Sequence, residues 1–278
     1  MRELQRIIIA EMGVQPQIDP AAEVERRVRF LADYARTAHA KGFVLGISGG
    51  VDSTLGGRLG QLAAERLRAE GHDAEFVSVR LPHRLQADEA DATAAMDFVG
   101  ADTPVTIDIE PGTTGLVAAF ERGTGRALSD FDRGNVKARM RMIAQYAIAG
   151  DKDLLVIGTD QAAESVSGFF TKFGDGGADV LPLFGLDKRQ VRELARHLGA
   201  PEHLWKKMPT ADLLDGKPGQ ADEVELGISY DVIDDYLEGK DVPDDAAEII
   251  EQRWLRTRHK RTTPVSVLED WWRDAPSA

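Results

Sequence analysis

Apolar and polar positions follow two different periodicities along the first two thirds of the chain. Short runs such as GFVLGI at 42–47 are mostly apolar, as in strands buried on both faces of a parallel sheet. The same pattern predicts strands over 75–81, 104–109 and 154–158. Helical spacing instead predicts helices over 21–39, 55–68, 86–99, 115–122, 132–149 and 188–198, with one more helix at the amino terminus. We therefore expect an α/β fold with a doubly wound parallel sheet, additional N- and C-terminal helices, and ligands at the carboxyl ends of the strands.

The turn between the first predicted strand and the next helix reads SGGVDS at 48–53. Glycines there permit positive φ and close approach of a ligand, and the first N–H groups of the helix lie unpaired at the positive end of its dipole. Such a turn favours an anion, most naturally a phosphate. The alternative is an ordinary turn capped by Asp52 or Ser53. Since a carboxylate repels polyphosphate unless a cation lies between them, Asp52 favours ATP with Mg2+.

The same turn excludes two common phosphate-binding motifs. It has neither the GxxxxGK[ST] of a Walker loop nor the GxGxxG of a dinucleotide fingerprint. The pattern SGGxDS is similar to the signature of the N-type ATP pyrophosphatases, which cleave ATP between the α and β phosphates. That resemblance implies a Rossmann-like fold of the adenine nucleotide alpha hydrolase type and a reaction class, without naming a substrate.

Composition narrows the class of protein. The 278 residues are 42% hydrophobic, which suits a single domain over 1–278. The amino terminus MRELQRIIIAEMG is interrupted by charges, so we expect neither a signal peptide nor a membrane span, and a cytoplasmic enzyme. A net charge of −13 argues against a nucleic-acid binder. The absence of cysteine excludes disulfides, thiolate metal sites and cysteine nucleophiles.

Later segments carry candidate chemistry, each with a structural alternative. GTDQAAES at 158–165 places Glu164 near the expected position of Asp52, either as a second magnesium carboxylate or as a glutamate favoured by a helix dipole. GFFTKFGDGGAD at 168–179 suits a pocket for an aromatic ring, or else core phenylalanines. The polar segment 209–227 is either a loop covering the site or a disordered connection.

Basic residues are concentrated in two places, the predicted helix after 132 and the carboxyl-terminal run RWLRTRHKR. In so acidic a chain the carboxyl-terminal run suggests a phosphate partner, with a solvated tail as an equal alternative, whereas a solvated helix face is the better account of each basic residue after 132. The residues concerned are Lys137, Arg139, Arg141, Arg253, Arg256, Arg258, Lys260 and Arg261.

Taken together, these segments resemble the ammonia-dependent NAD synthetase family over nearly the whole chain. GISGGVDST, RGNVKARMRMIAQYAIAG, GTDQAAES, GFFTKFGDGGAD and ISYDVIDDYLEGK stand in the family's order. The resemblance implies ATP-dependent amidation of deamido-NAD by ammonia through an adenylated intermediate, with release of AMP and pyrophosphate, as the last step of NAD biosynthesis. It also implies a homodimer with the deamido-NAD site at the interface.

The resemblance also assigns roles to residues, with Asp52 and Glu164 as the Mg2+ ligands. For ATP it implies Gly46, Ile47, Ser48, Gly49, Gly50, Val51, Asp52, Ser53, Thr159, Lys188 and Thr210. For deamido-NAD it implies Arg139, Lys172, Asp179, His259 and Lys260. The chain departs from the family at Gln161, where histidine is expected, and at His83 and Arg84, where tyrosine and glycine are frequent.

The implied mechanism needs positioning and charge stabilisation more than covalent catalysis. The helix N-terminus, Mg2+ and Lys188 would stabilise departing pyrophosphate. We hypothesise that Asp175, with Ser48 as its hydrogen-bond partner, binds ammonium and accepts its proton. Glutamine-dependent relatives carry a cysteine-based glutaminase domain, and this chain has neither the length for that domain nor a cysteine, so free ammonia is the predicted donor.

Two other functions are alternatives to NAD synthesis. One is another ATP pyrophosphatase, such as the synthetase half of a GMP synthetase, which would need a purine pocket in place of the 168–179 loop. The other is a nucleotide-binding sensor that holds ATP without turning it over. The pair Asp52 and Glu164 argues against the sensor, because a binder has less need of a metal site directed at pyrophosphate.

Overall fold

The computed structural model describes residues 1–83, 89–210, 220–262 and 264–273. The strands in these residues are β1 (Gly42–Gly46), β2 (Glu75–Arg80), β3 (Thr103–Thr106) and β4 (Leu155–Val156). They form a parallel sheet in the order β3-β2-β1-β4. The predicted parallel sheet of a Rossmann-like α/β fold is thereby confirmed.

The helices lie before, between and after the strands. Ahead of the sheet are α1 (Glu3–Met12) and α2 (Pro20–Thr37). Between the strands are α3 (Val51–Ala69), α4 (Glu89–Val99), α5 (Glu110–Thr124) and α6 (Asp130–Lys152). After β4 come α7 (Ala162–Ser167), α8 (Lys188–His197), α9 (Glu202–Lys206), α10 (Asp222–Leu226), α11 (Tyr230–Leu237), α12 (Asp244–Arg256) and α13 (Arg258–Arg261).

The boundaries differ most from the prediction at the strands on the sheet edges. β3 ends at Thr106 instead of 109, although Ile107 N still donates to Arg80 O at 2.9 Å. β4 has two residues, and a single bridge from Ile157 to Val180 continues its line. Edge strands have neighbours on one side, so apolar composition overestimates how far their regular pairing extends.

Two apolar layers cover the two faces of the sheet. Phe43 and Leu45 of β1 are buried in a cluster that includes residues of α2, α3, α4 and α8. Val44, between them in sequence, is buried on the other face, in a cluster with Ala149 of α6. Side chains alternate along a strand, so an unbroken apolar run such as GFVLG fits burial on both faces.

The helices at the two ends of the chain pack together in a separate apolar cluster. It joins Ile8 of α1 to Val166 of α7, Tyr236 of α11 and Trp254 of α12. Gln5 Nε2 donates to Tyr236 O at 3.0 Å and adds a polar link between α1 and α11. The additional terminal helices therefore support α7, the helix that carries Glu164.

The strand order places a crevice between β1 and β4. From β1 the chain passes through α3 to β2 on one side, and it later passes through α6 to β4 on the other side. Diverging connections of this kind leave room for a ligand at the carboxyl ends of the two strands. No helix in the described part of the chain is long and apolar enough to cross a membrane.

Two predicted features lie partly outside the described residues. The predicted helix over 86–99 is described from Glu89 onward, as α4. Of the segment 209–227, which was predicted as a cover or a disordered connection, residues 211–219 lie outside the description. The covering role of this segment therefore stays a prediction.

Candidate active site

The turn after β1 is closed by short polar bonds. Ser48 N donates to Ser53 Oγ at 3.2 Å, and Gly50 N donates to Ser48 Oγ at 3.3 Å. α3 then begins at Val51, with Gly50 as its N-cap and no side-chain cap. Neither Asp52 nor Ser53 therefore caps the helix, and the alternative of an ordinary capped turn is wrong for this chain. The unpaired N–H groups and the helix dipole remain available to an anion.

Gly49 fixes the path of this turn. Its φ is +86°, and a Cβ at this position would lie 2.8 Å from Ala92 N in α4. Only glycine meets both conditions without displacing α4. The fold therefore requires glycine at position 49. Its neighbours Ser48 and Gly50 instead face the cavity described below.

Three charged side chains from three helices meet beside the start of α3. Lys188 Nζ donates to Asp52 Oδ2 at 2.7 Å and to Glu164 Oε1 at 3.1 Å. Lys188 is the first residue of α8, while Asp52 and Glu164 lie in the first turns of α3 and α7. We call these three residues the Lys188 centre. The alternative of a glutamate that only complements a helix dipole does not describe Glu164, because its carboxylate binds Lys188.

Two aspartates fix the backbone around Lys188 by hydrogen bonds. Asp234 of α11 accepts hydrogen bonds from Lys188 N at 3.1 Å and from Arg189 N at 2.9 Å. Asp187 caps α8 by accepting from Gln190 N at 2.7 Å. These bonds satisfy the first N–H groups of α8 and so fix the direction in which Lys188 leaves the helix.

Burial dominates the electrostatics of the Lys188 centre. The side chain of Glu164 is 18% exposed, yet protein atoms surround it deeply, and this burial raises the pKa of Glu164, while the attraction of Lys188 opposes that shift. Burial by itself lowers the pKa of Lys188, but the carboxylates of Asp52 and Glu164 outweigh it and raise that pKa. The ammonium group is thus held firmly in its charged form.

The centre lies in the wall of a cavity of about 710 Å³ at the carboxyl ends of β1 and β4. A cavity of this size suits a small-molecule substrate. The predicted site residues that line it are Gly46, Ile47, Ser48, Gly50, Val51, Asp52, Ser53, Thr159, Glu164, Asp175, Lys188, Thr210, His259 and Lys260. The fold therefore brings most of the predicted ATP residues, and part of the predicted deamido-NAD residues, into one space.

Three predicted deamido-NAD residues lie away from the cavity wall. The guanidinium of Arg139 on α6 donates to Lys172 O at 3.2 Å, and the side chain of Arg139 is exposed. Asp179 is also exposed, and it accepts from Tyr146 Oη at 3.2 Å and from Val156 N at 2.8 Å. We call Arg139, Lys172 and Asp179 the outer group. The single chain does not enclose it.

Asp175 and Ser48 line the same cavity but bind different partners. Asp175 Oδ1 accepts from Thr171 N at 3.0 Å, whereas the Ser48 hydroxyl lies 3.1 Å from Ser53 Oγ. Asp175 is exposed towards the cavity, but protein atoms surround its carboxyl densely, and this desolvation raises its pKa. The hydrogen bonds described for the two residues therefore hold each within its own loop, and a bond between them stays a prediction.

The loop at 168–179 combines both alternatives considered for its phenylalanines. Phe169 packs against the cluster of terminal helices, and both Phe169 and Phe170 line the cavity. Phe173 instead has φ of +59° and is 53% exposed. An apolar wall for an aromatic ring is therefore present, with one phenylalanine left at the surface.

The carboxyl-terminal basic residues are ordered parts of the site. Lys260 Nζ donates to Gly168 O at 2.8 Å and to Phe170 O at 2.7 Å, and burial lowers its pKa. Arg253 donates to Leu226 O at 2.9 Å, and Arg256 lines the cavity. Burial also lowers the pKa of His259, with the neighbouring lysines adding to the effect. The alternative of a solvated tail is wrong for Arg253 and Lys260, because both side chains bind main-chain carbonyl oxygens.

Four further residues shape the site without having been predicted. Gln145 Oε1 accepts from Gly46 N at 2.8 Å, and Arg80 donates to Ile47 O at 2.7 Å, so both hold the end of β1. The ring of Tyr230 lies 4.8 Å from Lys188 Nζ, and Tyr230 Oη lies 3.4 Å from Asp222 Oδ2. Burial raises the pKa of Asp222 to about 6. In the sequence, Asp222 stands in an acidic stretch and carries no signal that separates it from a solvated carboxylate.

Gln161 and His83, which depart from the family pattern, lie away from the cavity of the Lys188 centre. Gln161 caps α7 by accepting from Ala163 N at 2.7 Å, and its Nε2 is buried without a partner among the described residues. His83 lines a separate cavity of about 260 Å³ with Arg133 and Lys137. Arg84 lies outside the described residues. Neither Gln161 nor His83 lines the larger cavity.

The Lys188 centre has the donors that a magnesium site needs. Among the described residues, no group of three or more His, Asp or Glu side chains is arranged to hold a metal ion. Mg2+ bound through one or two carboxylates plus substrate phosphates does not require such a group. Asp52 Oδ1 is a buried acceptor without a partner in the described part of the chain. The carboxylates of Asp52 and Glu164 already bind one cation together, the ammonium group of Lys188. The residues therefore fit Mg2+.

The similarity of this chain to known proteins extends over nearly its whole length. A family model described as NAD synthase matches residues 23–264, a range that contains the site from β1 to α13. An NH(3)-dependent NAD(+) synthetase of Bacillus thuringiensis (strain Al Hakam) is 60% identical over 270 residues, which are 97% of this chain and 99% of the relative.

Solved structures show the same likeness. The crystal structure of NAD+ synthetase from Burkholderia pseudomallei is 54% identical with a TM-score of 0.81, and the match covers 94% of this chain and 96% of that chain. A structure of NMN synthetase from Francisella tularensis is 34% identical with a TM-score of 0.80, covering 91% of this chain and 100% of that chain.

Proposed function

The chain belongs to the NAD synthase family, and from this membership we propose that it is an ammonia-dependent NAD synthetase, a ligase that forms a C–N bond. It uses ATP and ammonia to convert deamido-NAD to NAD. The observation that carries the proposal is the Lys188 centre beside the uncapped start of α3, inside a cavity of about 710 Å³. A cation, two carboxylates and free N–H groups are the parts that hold and activate a polyphosphate.

The first step activates the nicotinate carboxylate, which is anionic and therefore a poor electrophile. One of its oxygens attacks the α-phosphorus of ATP, and the bond from that phosphorus to the oxygen bridging to the β-phosphate breaks. Pyrophosphate leaves, and a mixed anhydride with AMP remains. The N–H groups at the start of α3 and the Lys188 ammonium would stabilise the charge that develops on pyrophosphate. When bound by Asp52 and Glu164, Mg2+ supplies further positive charge at the leaving group.

The second step forms the amide. The ammonia nitrogen attacks the carbonyl carbon of the mixed anhydride, and the bond to the AMP oxygen breaks. One proton must leave the nitrogen, and Asp175 at the cavity wall is the proposed acceptor. The raised pKa of Asp175 supports this role, because a stronger base accepts the proton more readily near neutral pH.

Deamido-NAD binding would extend from the cavity to the outer group. His259 and Lys260 line the cavity, while Arg139, Lys172 and Asp179 lie outside it. We propose that a second copy of the chain covers the outer group in a homodimer. The apolar side chains of Phe131 and Ile143 on α6 and of Phe173 in the 168–179 loop support this, because they are 61%, 52% and 53% exposed.

The remaining proposals concern organisation. Residues 1–278 would act as a single domain that takes free ammonia, because they contain no cysteine to act on glutamine. We propose that it acts in the cytoplasm, where its co-substrate ATP is supplied.

Product analysis by liquid chromatography tests the proposal. The full chain is incubated with ATP, Mg2+, deamido-NAD and either ammonium or glutamine. We expect NAD and AMP in equal amounts with ammonium, and no NAD with glutamine. ADP in place of AMP, or no turnover of deamido-NAD, would contradict the proposal. A parallel reaction with nicotinic acid mononucleotide addresses the likeness to NMN synthetase, and faster turnover of that mononucleotide would reassign the substrate.

A further inference from the structure

The Lys188 centre already contains a cation. Lys188 Nζ binds Asp52 Oδ2 at 2.7 Å and Glu164 Oε1 at 3.1 Å. Asp52 and Glu164 are also the residues that would hold Mg2+, through the carboxylate oxygens that it prefers as ligands. The ammonium group and a metal ion held by Asp52 and Glu164 would therefore compete for the same carboxylate oxygens.

The surroundings make this competition strong. Lys188 is 1% exposed, and the ring of Tyr230 lies 4.8 Å from its ammonium group. Asp234 anchors the backbone at the same residue, so the lysine cannot withdraw by unwinding the start of α8. Two carboxylates in such a place are costly without a positive partner. Something must therefore neutralise them in the absence of substrate, and Lys188 does so.

The same side chain is also required elsewhere during the reaction. In the proposed first step the ammonium of Lys188 stabilises the phosphates of ATP, and it cannot make its best contacts with the carboxylates and the phosphates at once. The phosphates carry more negative charge than Asp52 and Glu164 together, so they would draw the ammonium away. That movement leaves the two carboxylates free for a metal ion at the moment when ATP is present.

Building on the proposed function, we infer that Lys188 is a stand-in cation that keeps Mg2+ out of the substrate-free chain and yields Asp52 and Glu164 to the metal only when ATP binds. The metal ion then enters with ATP and not before it. The free Asp52 Oδ1 provides a further acceptor that the metal can use once the lysine has moved.

Binding of Mn2+, used as a paramagnetic substitute for Mg2+, tests this inference without any turnover. Electron paramagnetic resonance measures the free Mn2+ in solutions of the full chain, without nucleotide. We expect weak binding to the wild type and at least about tenfold tighter binding to Lys188→Met, which frees both carboxylates. Equal Mn2+ affinity in the two proteins would overturn the inference.

Three further variants make the test specific. Lys188→Arg keeps the positive charge and should bind free Mn2+ as weakly as the wild type. Lys260→Met removes another lysine of the same cavity, one that binds carbonyl oxygens, and should also leave Mn2+ affinity unchanged. Lys188→Gln keeps a hydrogen-bond donor and replaces Lys188→Met if the methionine variant does not fold. If the glutamine variant is then folded and gains no Mn2+ affinity, the inference is wrong.

Failure of this inference and failure of the proposed function give different results. If the chain makes NAD but Lys188→Met does not gain Mn2+ affinity, the stand-in role alone is wrong. If Lys188→Met gains affinity but no NAD forms, the competition is real and the substrate is a different one.

Discussion

The Lys188 centre and the outer group use the same kinds of side chain in opposite surroundings. Lys188 is 1% exposed and binds two carboxylates from separate helices. Arg139 and Asp179 are exposed, and Arg139 binds a main-chain carbonyl in place of a carboxylate. Charges interact strongly where water is excluded and weakly where it is not. The Lys188 centre is therefore enclosed within one chain, whereas the outer group is open to solvent.

The largest expected effect is at the enclosed site. Asp52→Asn removes one of the two carboxylates of the Lys188 centre, and we expect AMP formation at saturating substrate to fall about a thousandfold. The rate of AMP formation with ammonium measures this. Asp73→Asn, in an exposed loop outside the cavity, is the matched control and should behave as the wild type. A loss below tenfold for Asp52→Asn would mean that the enclosed site does not carry the chemistry.

The next effect separates the two chemical steps. Asp175→Asn removes the proposed proton acceptor, and we expect amide formation to fall about a hundredfold. Exchange of labelled pyrophosphate into ATP, which reports the first step alone, should remain near the wild-type rate. Equal losses in both assays would show that Asp175 acts in adenylation or in folding and not in the ammonia step.

A smaller effect is expected at the outer group. Arg139→Ala should raise the KM for deamido-NAD about tenfold and leave the KM for ATP within about twofold, because an exposed charge contributes binding and little transition-state stabilisation. Initial-rate kinetics with each substrate varied separately measures both constants. Arg196→Ala, an exposed arginine on α8, is the control. A fall in kcat for Arg139→Ala would remove the contrast between the two sites.

The last expected effect is on the pH dependence of stability at Asp160, which directly precedes the N-cap of α7. Burial raises the pKa of Asp160 to about 7, so the folded chain binds a proton there that the unfolded chain, with an ordinary aspartate, releases at lower pH. This contribution to stability is present at acid pH and is lost as the pH rises towards 7. Relative to Asp160→Asn, the free energy of unfolding of the wild type should fall by at most about 1.4 kcal/mol per pH unit across that range.

Urea denaturation of both proteins at pH 5 and at pH 7 measures this difference. The asparagine variant supplies its own reference, because it has no proton to lose at position 160. If the wild type gains stability relative to Asp160→Asn between pH 5 and pH 7, the sign of the effect is wrong and Asp160 is stabilised in its charged form.

The parts of the site that were predicted correctly are those set by neighbouring residues. The apolar run of β1, the glycines of the turn and the helical spacing of α3 act over a few positions, so the sequence indicates them directly. Even there the prediction began α3 at 55, whereas the helix begins at Val51. The reason is that 51–54 carry no helical apolar pattern, and the turn around Ser48 and Ser53 starts the helix instead.

Residues that act through distant partners were harder to predict. The resemblance grouped five residues for deamido-NAD, but His259 and Lys260 line the cavity while Arg139, Lys172 and Asp179 lie outside it. Tyr230 and Asp222 beside Lys188 carried no local signal at all. Their contacts join positions far apart in the chain, which no short-range pattern records.

The sequence by itself determined the class of fold, the glycine turn after β1 and the choice of residue types, because strand and helix periodicity, glycine geometry and helix dipoles act locally. Only the tertiary structure decided that Lys188 lies between Asp52 and Glu164, because three separate helices must pack before those atoms meet. It also decided which charges are enclosed and which are exposed. The physical reason is that burial depends on the whole fold, and burial sets the strength of every charge interaction at the site.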